Sequence, residues 1–188
     1  MHMSRLNQLP EDLPIPKDDG TCRHLPGIPV PTIKLSATTG QSVNLCAESH
    51  QQRVVIYCYP MTGQPDKPLP EDWDMIPGAR GCTPQSCAFR DHHTEIKTLG
   101  ASVYGLSTQS TDYQQEMVTR LHLPFPILSD EQLLLAKALQ LPTFSVDDMT
   151  LIKRLTLILY QGFVEHVFYP VFPPNKNAVI VIQWLQEN

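Results

Sequence analysis

The sequence predicts an α/β fold in which a mixed central sheet is flanked by helices. Three observations carry this. The run Arg53-Val54-Val55-Ile56-Tyr57-Cys58-Tyr59 is almost continuously β-branched or aromatic, the pattern of a strand covered on both faces. Strand-like and helix-like segments alternate after it, which is the order that layers helices onto a sheet. Near the C-terminus, residues 155–160 and 163–168 flank Gln161-Gly162, a pair suited to a hairpin turn, and an amphipathic segment follows.

Each element has a local reason. Residues 1–25 read as an irregular arm, because Pro10, Pro14, Pro16, Asp18, Asp19 and Gly20 break any periodicity. Residues 26–188 form the folded domain. Residues 31–35 predict a short edge strand, and Thr38-Thr39-Gly40-Gln41 a turn. Residues 53–59 are the buried central strand, with Cys58 an inert core residue. Residues 60–81 hold Pro60, Pro65, Pro68, Pro70 and Pro77 and read as a long connection; connections of this length are characteristically functional or mobile. Beyond Cys82, Phe89, His92/His93, Ile96 and Leu99 recur at helical spacing. Residues 102–107 are the next strand. Thr111-x-x-Gln114 has the form of a capping box and starts a helix to about residue 121; Ser129-Asp130-Glu131-Gln132 has the same form and opens a leucine-rich helix to about residue 140. A brief strand at 126–128 lies between them. Pro174 starts the last helix, which puts Ala178, Val181, Ile182 and Leu185 on one face.

Composition narrows the function classes. The net charge of −5 and the absence of a basic stripe argue against nucleic acid as a partner. Five cysteines is an odd count in a mid-sized chain, unlike a secreted disulfide framework. The first 20 residues are polar and proline-rich without an apolar h-region, so no signal peptide is expected. No apolar run has the length of a membrane span, and no membrane partner is expected. These readings together predict a cytoplasmic protein.

The chemistry concentrates in Gly81-Cys82-Thr83-Pro84-Gln85-Ser86-Cys87-Ala88-Phe89-Arg90-Asp91. The Thr-Pro pair beside Cys82 favours a helix N-terminus. There the backbone N–H groups are unsatisfied and the dipole end is positive, so a thiolate is favoured and Cys82 is placed to be reactive. Two plainer alternatives stand beside this. Both cysteines could be core residues, since a free cysteine behaves as a small hydrophobe. A zinc site with His92 and His93 is the other, but adjacent helical side chains diverge by about 100°, which does not converge on one ion. On a regular helix the Cα atoms of Cys82 and Cys87 would be about 8.6 Å apart. A disulfide requires less than about 7 Å, so joining them requires the helix to unwind locally. That suits a redox cycle and suits a static crosslink poorly. Cys22 and Cys46 lie in loop-like contexts and receive no role. Arg154, beside Lys153, reads from its neighbours alone as a surface charge.

Four segments carry a family resemblance: Cys82-Thr83-x-x-x-Cys87-x-Phe89-Arg90-Asp91, Gly105-Leu106-Ser107-Thr108, Pro126-Ile127-Leu128-Ser129-Asp130 and Glu165-His166-Val167-Phe168. From about residue 30 onward the chain resembles the peroxiredoxins of the Q type, the bacterioferritin comigratory proteins. The resemblance implies a thioredoxin-like fold and thiol-dependent reduction of hydrogen peroxide and organic hydroperoxides. It implies that Cys82 is the peroxidatic cysteine, Cys87 an intrahelical resolving cysteine and Arg154 the arginine that holds thiolate and peroxide. Thioredoxin or a similar dithiol is then the reductant, no cofactor or metal is needed, and the protein is a monomer or weak homodimer. The chain departs from the family pattern in one place. The family has a threonine three residues before the cysteine, whereas this chain has Ala79, with the extra segment inserted after Pro60-Met61-Thr62-Gly63. Thr62 is the candidate to fold back as the missing hydroxyl. Two other function classes compete: a thiol–disulfide oxidoreductase or redox sensor, which a C-x-x-C pair would favour and the chain lacks, and a non-catalytic thioredoxin-fold binding module.

Overall fold

The computed structural model describes residues 6–188. The start of the predicted arm, residues 1–5, lies outside the described residues. In chain order the elements are β1 (Lys34–Ala37), β2 (Ser42–Asn44), α1 (Leu45–Ser49), β3 (Arg53–Cys58), α2 (Cys82–Asp91), α3 (His93–Thr98), β4 (Ala101–Ser107), α4 (Thr111–Leu121), β5 (Ile127–Ser129), α5 (Leu134–Ala138), β6 (Thr143–Val146), β7 (Met149–Ile152), β8 (Leu155–Tyr160), β9 (Phe163–Phe168) and α6 (Asn177–Glu187). Single 3₁₀ turns at Trp73–Met75 and Pro174–Lys176 complete them.

The main sheet has the order β2-β1-β5-β4-β3-β8-β9. Strands β3, β4 and β5 are parallel, while β8 joins β3 and β1 joins β5 in antiparallel register. The sheet is therefore mixed, and β3 is central, as its composition predicts. Alternation along β3 divides the core. Val54, Ile56 and Cys58 face one layer with Leu25, Leu45, Leu106, Leu135 and Leu157. Val55, Tyr57 and Tyr59 face the other, where α2, α3, α4 and α6 supply Phe89, Ile96, Met117 and Val181. Because β3 is covered on both sides, it needs apolar residues at every position.

Several elements differ from the sequence reading. The first strand is Lys34–Ala37, and it is not at the edge: β2 lies outside it. Cys46 is in the short helix α1, where the Asn44 side chain caps the N–H groups of Cys46 and Ala47. The helical periodicity after Cys82 covers two helices, which break at His92 (φ −101°, ψ 6°). Neither capping box forms as drawn. Ser110 caps α4 by accepting from Tyr113 N at 3.3 Å, while Gln114 turns inward to donate to Ser107 Oγ and the Leu128 carbonyl. The leucine-rich helix is only Leu134–Ala138, and the buried Asp130 carboxylate accepts from Leu135 N and Ala136 N. Burial pushes the Asp130 carboxyl up from its usual range, against the pull of these backbone donors. The hairpin at Gln161-Gly162 forms as predicted, with φ of 51° and 81°.

The β6–β7 hairpin has no counterpart in the sequence reading. Its place in the fold explains the insertion. Phe144, Val146 and Met149 from this hairpin pack against Met61, Trp73 and Ala79, together with Leu69, Ile76 and Leu151. The proline-rich segment thus has its own small apolar core and is not a free loop. Residues 9–25 hold turns but no helix or strand, and Cys22 and Leu25 are buried in the main core.

Phe89 fixes α2 to the sheet. It is fully buried and stacks on Tyr57 with ring centroids 4.5 Å apart. Phe89→Ala is expected to destabilise the fold by about 3–5 kcal/mol, measured by urea unfolding. A loss under about 1 kcal/mol would show that this stack does not hold the helix.

Candidate active site

Cys82 is the first residue of α2, beyond the carboxyl end of β3, where open α/β sheets place their sites. Gly81 precedes it with φ 106°, a conformation that L side chains rarely adopt. A Cβ at Gly81 would collide with Pro174 Cγ and come within 2.7 Å of Leu9 Cδ2. The cysteine is therefore set where the arm, the C-terminal segment and the helix start converge. Its side chain is buried, at 3 % exposure.

Arg154 lies immediately before β8 and is also buried, at 3 % exposure. This corrects the surface-charge reading that its neighbours suggest. Its Nη2 donates to Cys82 Sγ at 3.2 Å, to the Ala79 carbonyl at 3.1 Å and to the Arg80 carbonyl at 3.2 Å. Its Nε donates to the Gly78 carbonyl at 3.3 Å. Its Nη1 donates to Gln85 Oε1. The last turn of the insertion thus wraps the guanidinium with three consecutive carbonyls. Among the described residues no carboxylate lies within ion-pair distance of Arg154. The positive charge is held by dipoles, with the sulfur as the neighbour able to carry a full negative charge.

Ala79 is fully buried, and its carbonyl also lies 3.5 Å from Cys82 Sγ, within reach of the thiol proton. Thr62 does not take the role of the missing hydroxyl. Its hydroxyl donates to Gln109 Oε1 at 3.4 Å and its N–H donates to the same oxygen at 3.1 Å. The Thr62 carbonyl accepts from Tyr113 OH at 2.9 Å. The residue is tied to Tyr113 of α4, and the hydrogen bond its hydroxyl donates goes to Gln109.

Cys87 is the sixth residue of α2, so the intact helix holds it at the separation of about 8.6 Å expected from regular geometry. It is half-buried and packs at the edge of the core layer beneath α2. Burial pushes its thiol up from the ordinary cysteine value, with Arg90 pulling partly the other way. All five cysteines are free thiols. Burial pushes Cys22 up to about 12 and Cys58 higher still, which fits inert core thiols. Among the described residues no His, Cys, Asp and Glu group has the arrangement to hold a metal, and His92 instead bonds Glu95 at 3.2 Å.

Sequence reasoning missed the residues behind the arginine. Gln85 Nε2 donates to Asn177 Oδ1 at 2.9 Å, and Thr156 Oγ1 donates to the same oxygen at 2.7 Å. All three are buried. Gln85 was findable, since i and i+3 share a helix face with Cys82. Asn177 carries no local signal, because it arrives from a helix nearly a hundred residues away in the chain.

The redoxin family model matches residues 25–182. The chain belongs to the redoxin family. Within this family its relatives are peroxiredoxins of the Q type. Peroxiredoxin Q of Sedum lineare is 30 % identical over 174 residues, covering 92 % of this chain and 84 % of that protein. The chloroplastic peroxiredoxin Q of Oryza sativa subsp. japonica is 30 % identical over 161 residues, and the match spans 85 % of this chain and 66 % of the rice protein. Peroxiredoxin Bcp of Escherichia coli K12 is 28 % identical over 162 residues, covering 84 % of this chain and 93 % of its own length. Among solved structures, the peroxidoxin BcpB of Mycobacterium tuberculosis superposes with a TM-score of 0.70 at 24 % identity, covering 87 % of this chain and 98 % of that one. This similarity shows the thioredoxin-like fold of the redoxins. The chain is thus a Q-type peroxiredoxin by family, an oxidoreductase lineage whose chemistry is carried by thiols.

Two outcomes test the geometry. Gly81→Ala is expected to cost about 1–3 kcal/mol in urea unfolding, because the new Cβ is overpacked in a left-handed backbone. A neutral result would show that the convergence on Gly81 is loose. For Cys87, a raised thiol pKa keeps the neutral form dominant as pH climbs through the ordinary cysteine range. In reduced, folded Cys82→Ser protein, iodoacetamide modification of Cys87 should keep rising past that range. Levelling at the same pH as in denatured protein would remove the burial effect.

Proposed function

We propose that the protein is a two-cysteine peroxidase that reduces hydrogen peroxide and organic hydroperoxides through Cys82. The observation that carries this reading is the Arg154 guanidinium 3.2 Å from Cys82 Sγ at the start of a helix. A cation and a positive dipole end then face the atom on which negative charge is needed. The same donors stand ready for the charge that develops on the peroxide oxygens.

The Cys82 thiolate attacks one peroxide oxygen. The S–O bond forms as the O–O bond breaks, and the leaving oxygen departs as hydroxide or alkoxide and takes a proton to become water or alcohol. Cys82 is oxidised to a sulfenic acid. The first turns of α2 unwind, Cys87 attacks the sulfenic sulfur, and water leaves as the disulfide forms. A dithiol reductant of thioredoxin type restores both thiols by exchange and is itself oxidised to a disulfide. The place of Cys87 on the same helix as Cys82 supports the unwinding step, since regular helical spacing exceeds the reach of a disulfide.

Cys82→Ser is expected to abolish peroxide reduction with the fold retained. Cys87→Ser should react once, give a sulfenic acid trappable by dimedone, and stall with thioredoxin. Peptide mapping of the oxidised wild type should join Cys82 to Cys87. A bond from Cys82 to Cys22, to Cys46 or to a second chain would overturn the resolving role.

Arg154→Ala removes a charge-assisted contact of about 1.5–3 kcal/mol, so the first oxidation should slow about ten- to a hundredfold, with a much smaller effect on disulfide formation. Stopped-flow tryptophan fluorescence separates the two steps. Unchanged oxidation would remove Arg154 from the site.

A further inference from the structure

The neutral side chains behind Arg154 form a chain with a fixed direction. Asn177 Oδ1 accepts from Thr156 Oγ1 at 2.7 Å and from Gln85 Nε2 at 2.9 Å. These two donors occupy the oxygen's two lone pairs. The Gln85 nitrogen must therefore face Asn177, and its oxygen is left to face Arg154 Nη1, which donates to it. A flipped Gln85 amide would set nitrogen against guanidinium nitrogen and leave Asn177 short of a donor. Asn177 thus determines how Gln85 presents itself to the arginine that touches Cys82.

The ends of this chain are anchored in different elements. Arg154 immediately precedes β8 and Thr156 is the second residue of that strand, so both are carried by its N-terminal end. Asn177 is the first residue of α6, whose Ala178, Val181 and Ile182 are buried in the core. Gln85 alone belongs to α2, between Cys82 and Cys87. It is also the part that must move. Cys87 cannot reach Cys82 until the turns containing Gln85 unwind, and that unwinding breaks the bond to Asn177 and the bond to Arg154 together.

We infer that Asn177 is a positioning residue that latches the cysteine helix to the C-terminal helix, holding the Gln85 amide toward Arg154 and resisting the unwinding that resolution requires. The inference rests on the reading of Cys82 and Cys87 as a peroxidatic and resolving pair. With the latch closed, the guanidinium is held for the first step and the helix is held against the second. Opening the latch shifts both rates, in opposite directions.

The test is stopped-flow oxidation of the reduced full-length protein by hydrogen peroxide, with the two phases resolved. Asn177→Leu keeps the size and removes the acceptor. Its first phase is expected to slow about three- to tenfold and its disulfide-forming phase to accelerate by a similar factor, the scale of one buried hydrogen bond. Sulfinic acid at Cys82 under excess peroxide, read by mass spectrometry, should fall accordingly. Asn177→Asp keeps an acceptor oxygen and should return the resolving phase toward the wild-type rate. Gln85→Met breaks the same link from the other side and should give the same pair of shifts, which keeps the test available if Asn177→Leu does not fold. Shifts of the same sign in both phases, or none, in protein with wild-type circular dichroism would overturn the latch. If wild-type protein forms no Cys82–Cys87 disulfide, the resolving role of Cys87 and the latch fall together, while peroxide reduction at Cys82 is tested separately by Cys82→Ser. A wild-type disulfide with unshifted variants rejects the latch alone.

Discussion

A guanidinium buried with no carboxylate in ion-pair distance among the described residues is the constraint on which the rest of the site depends. Removing an unpaired cation from water costs several kcal/mol even after relaxation. Arg154 offsets this with the carbonyls of Gly78, Ala79 and Arg80 and the amide oxygen of Gln85. Dipoles stabilise the cation without cancelling its charge. A carboxylate in their place would compete with the sulfur for the same field. The arrangement leaves the Cys82 sulfur beside the guanidinium, at the first residue of α2.

The insertion and the arm follow from that constraint. Three successive carbonyls can converge on one guanidinium only if the backbone curls, and Gly78 and Gly81, at φ 80° and 106°, flank the curl. The curl is kept in place by apolar contacts. Trp73, Met61 and Ala79 pack on the β6–β7 hairpin, and Pro16 lies against Gly78. Asp19 of the arm pairs with Lys153 at 2.8 Å and accepts from Tyr169 OH at 3.0 Å, which ties the arm down beside Arg154. Ala79 is explained in the same way. Its carbonyl takes both the arginine and the thiol, and its side chain is enclosed in the insertion's own core, where a hydroxyl would need a partner of its own.

Much of this was legible in the sequence because it is local. The β3 composition, the Gln161-Gly162 hairpin, the apolar face of α6 and the helix entry at Cys82 each follow from a few adjacent residues. The capping boxes misled because Ser, Thr and Asp have several ways to bond nearby backbone. Ser110 outcompeted Thr111 by one position, and Asp130 caps from outside the helix. The β6–β7 hairpin went unseen because its Asp147-Asp148 turn and half-buried strands make a weak period-two signal. Arg154 shows where local reading stops. Beside Lys153 it looks like a solvated charge, and only the family resemblance pointed inward. The Gln85–Asn177–Thr156 chain lies further out of reach, since it joins three elements that approach one another only in the folded chain.

The helix that carries Cys82 is built to be held by its surroundings more than by itself. Its cap residue, Gly81, offers no side-chain hydrogen bond, and no acidic side chain in the first turn answers the dipole. Pro84 lacks an N–H but lies within the first turn, where that donor has no intrahelical partner in any case. Intrinsic stability at this end is therefore low, and a capping side chain alone would have added about 1 kcal/mol. The dipole end is left unneutralised by any acidic side chain of the first turn. The same omission makes the first turn easy to open. What holds it closed is tertiary: Gln85 to Arg154 and Asn177, Tyr57 OH to Ser86 at 3.1 Å, and Phe89 against Tyr57. A helix end left weak for chemical reasons is one whose opening can be set by a few side-chain contacts, and those contacts lie between the two cysteines and beneath the helix that bears them.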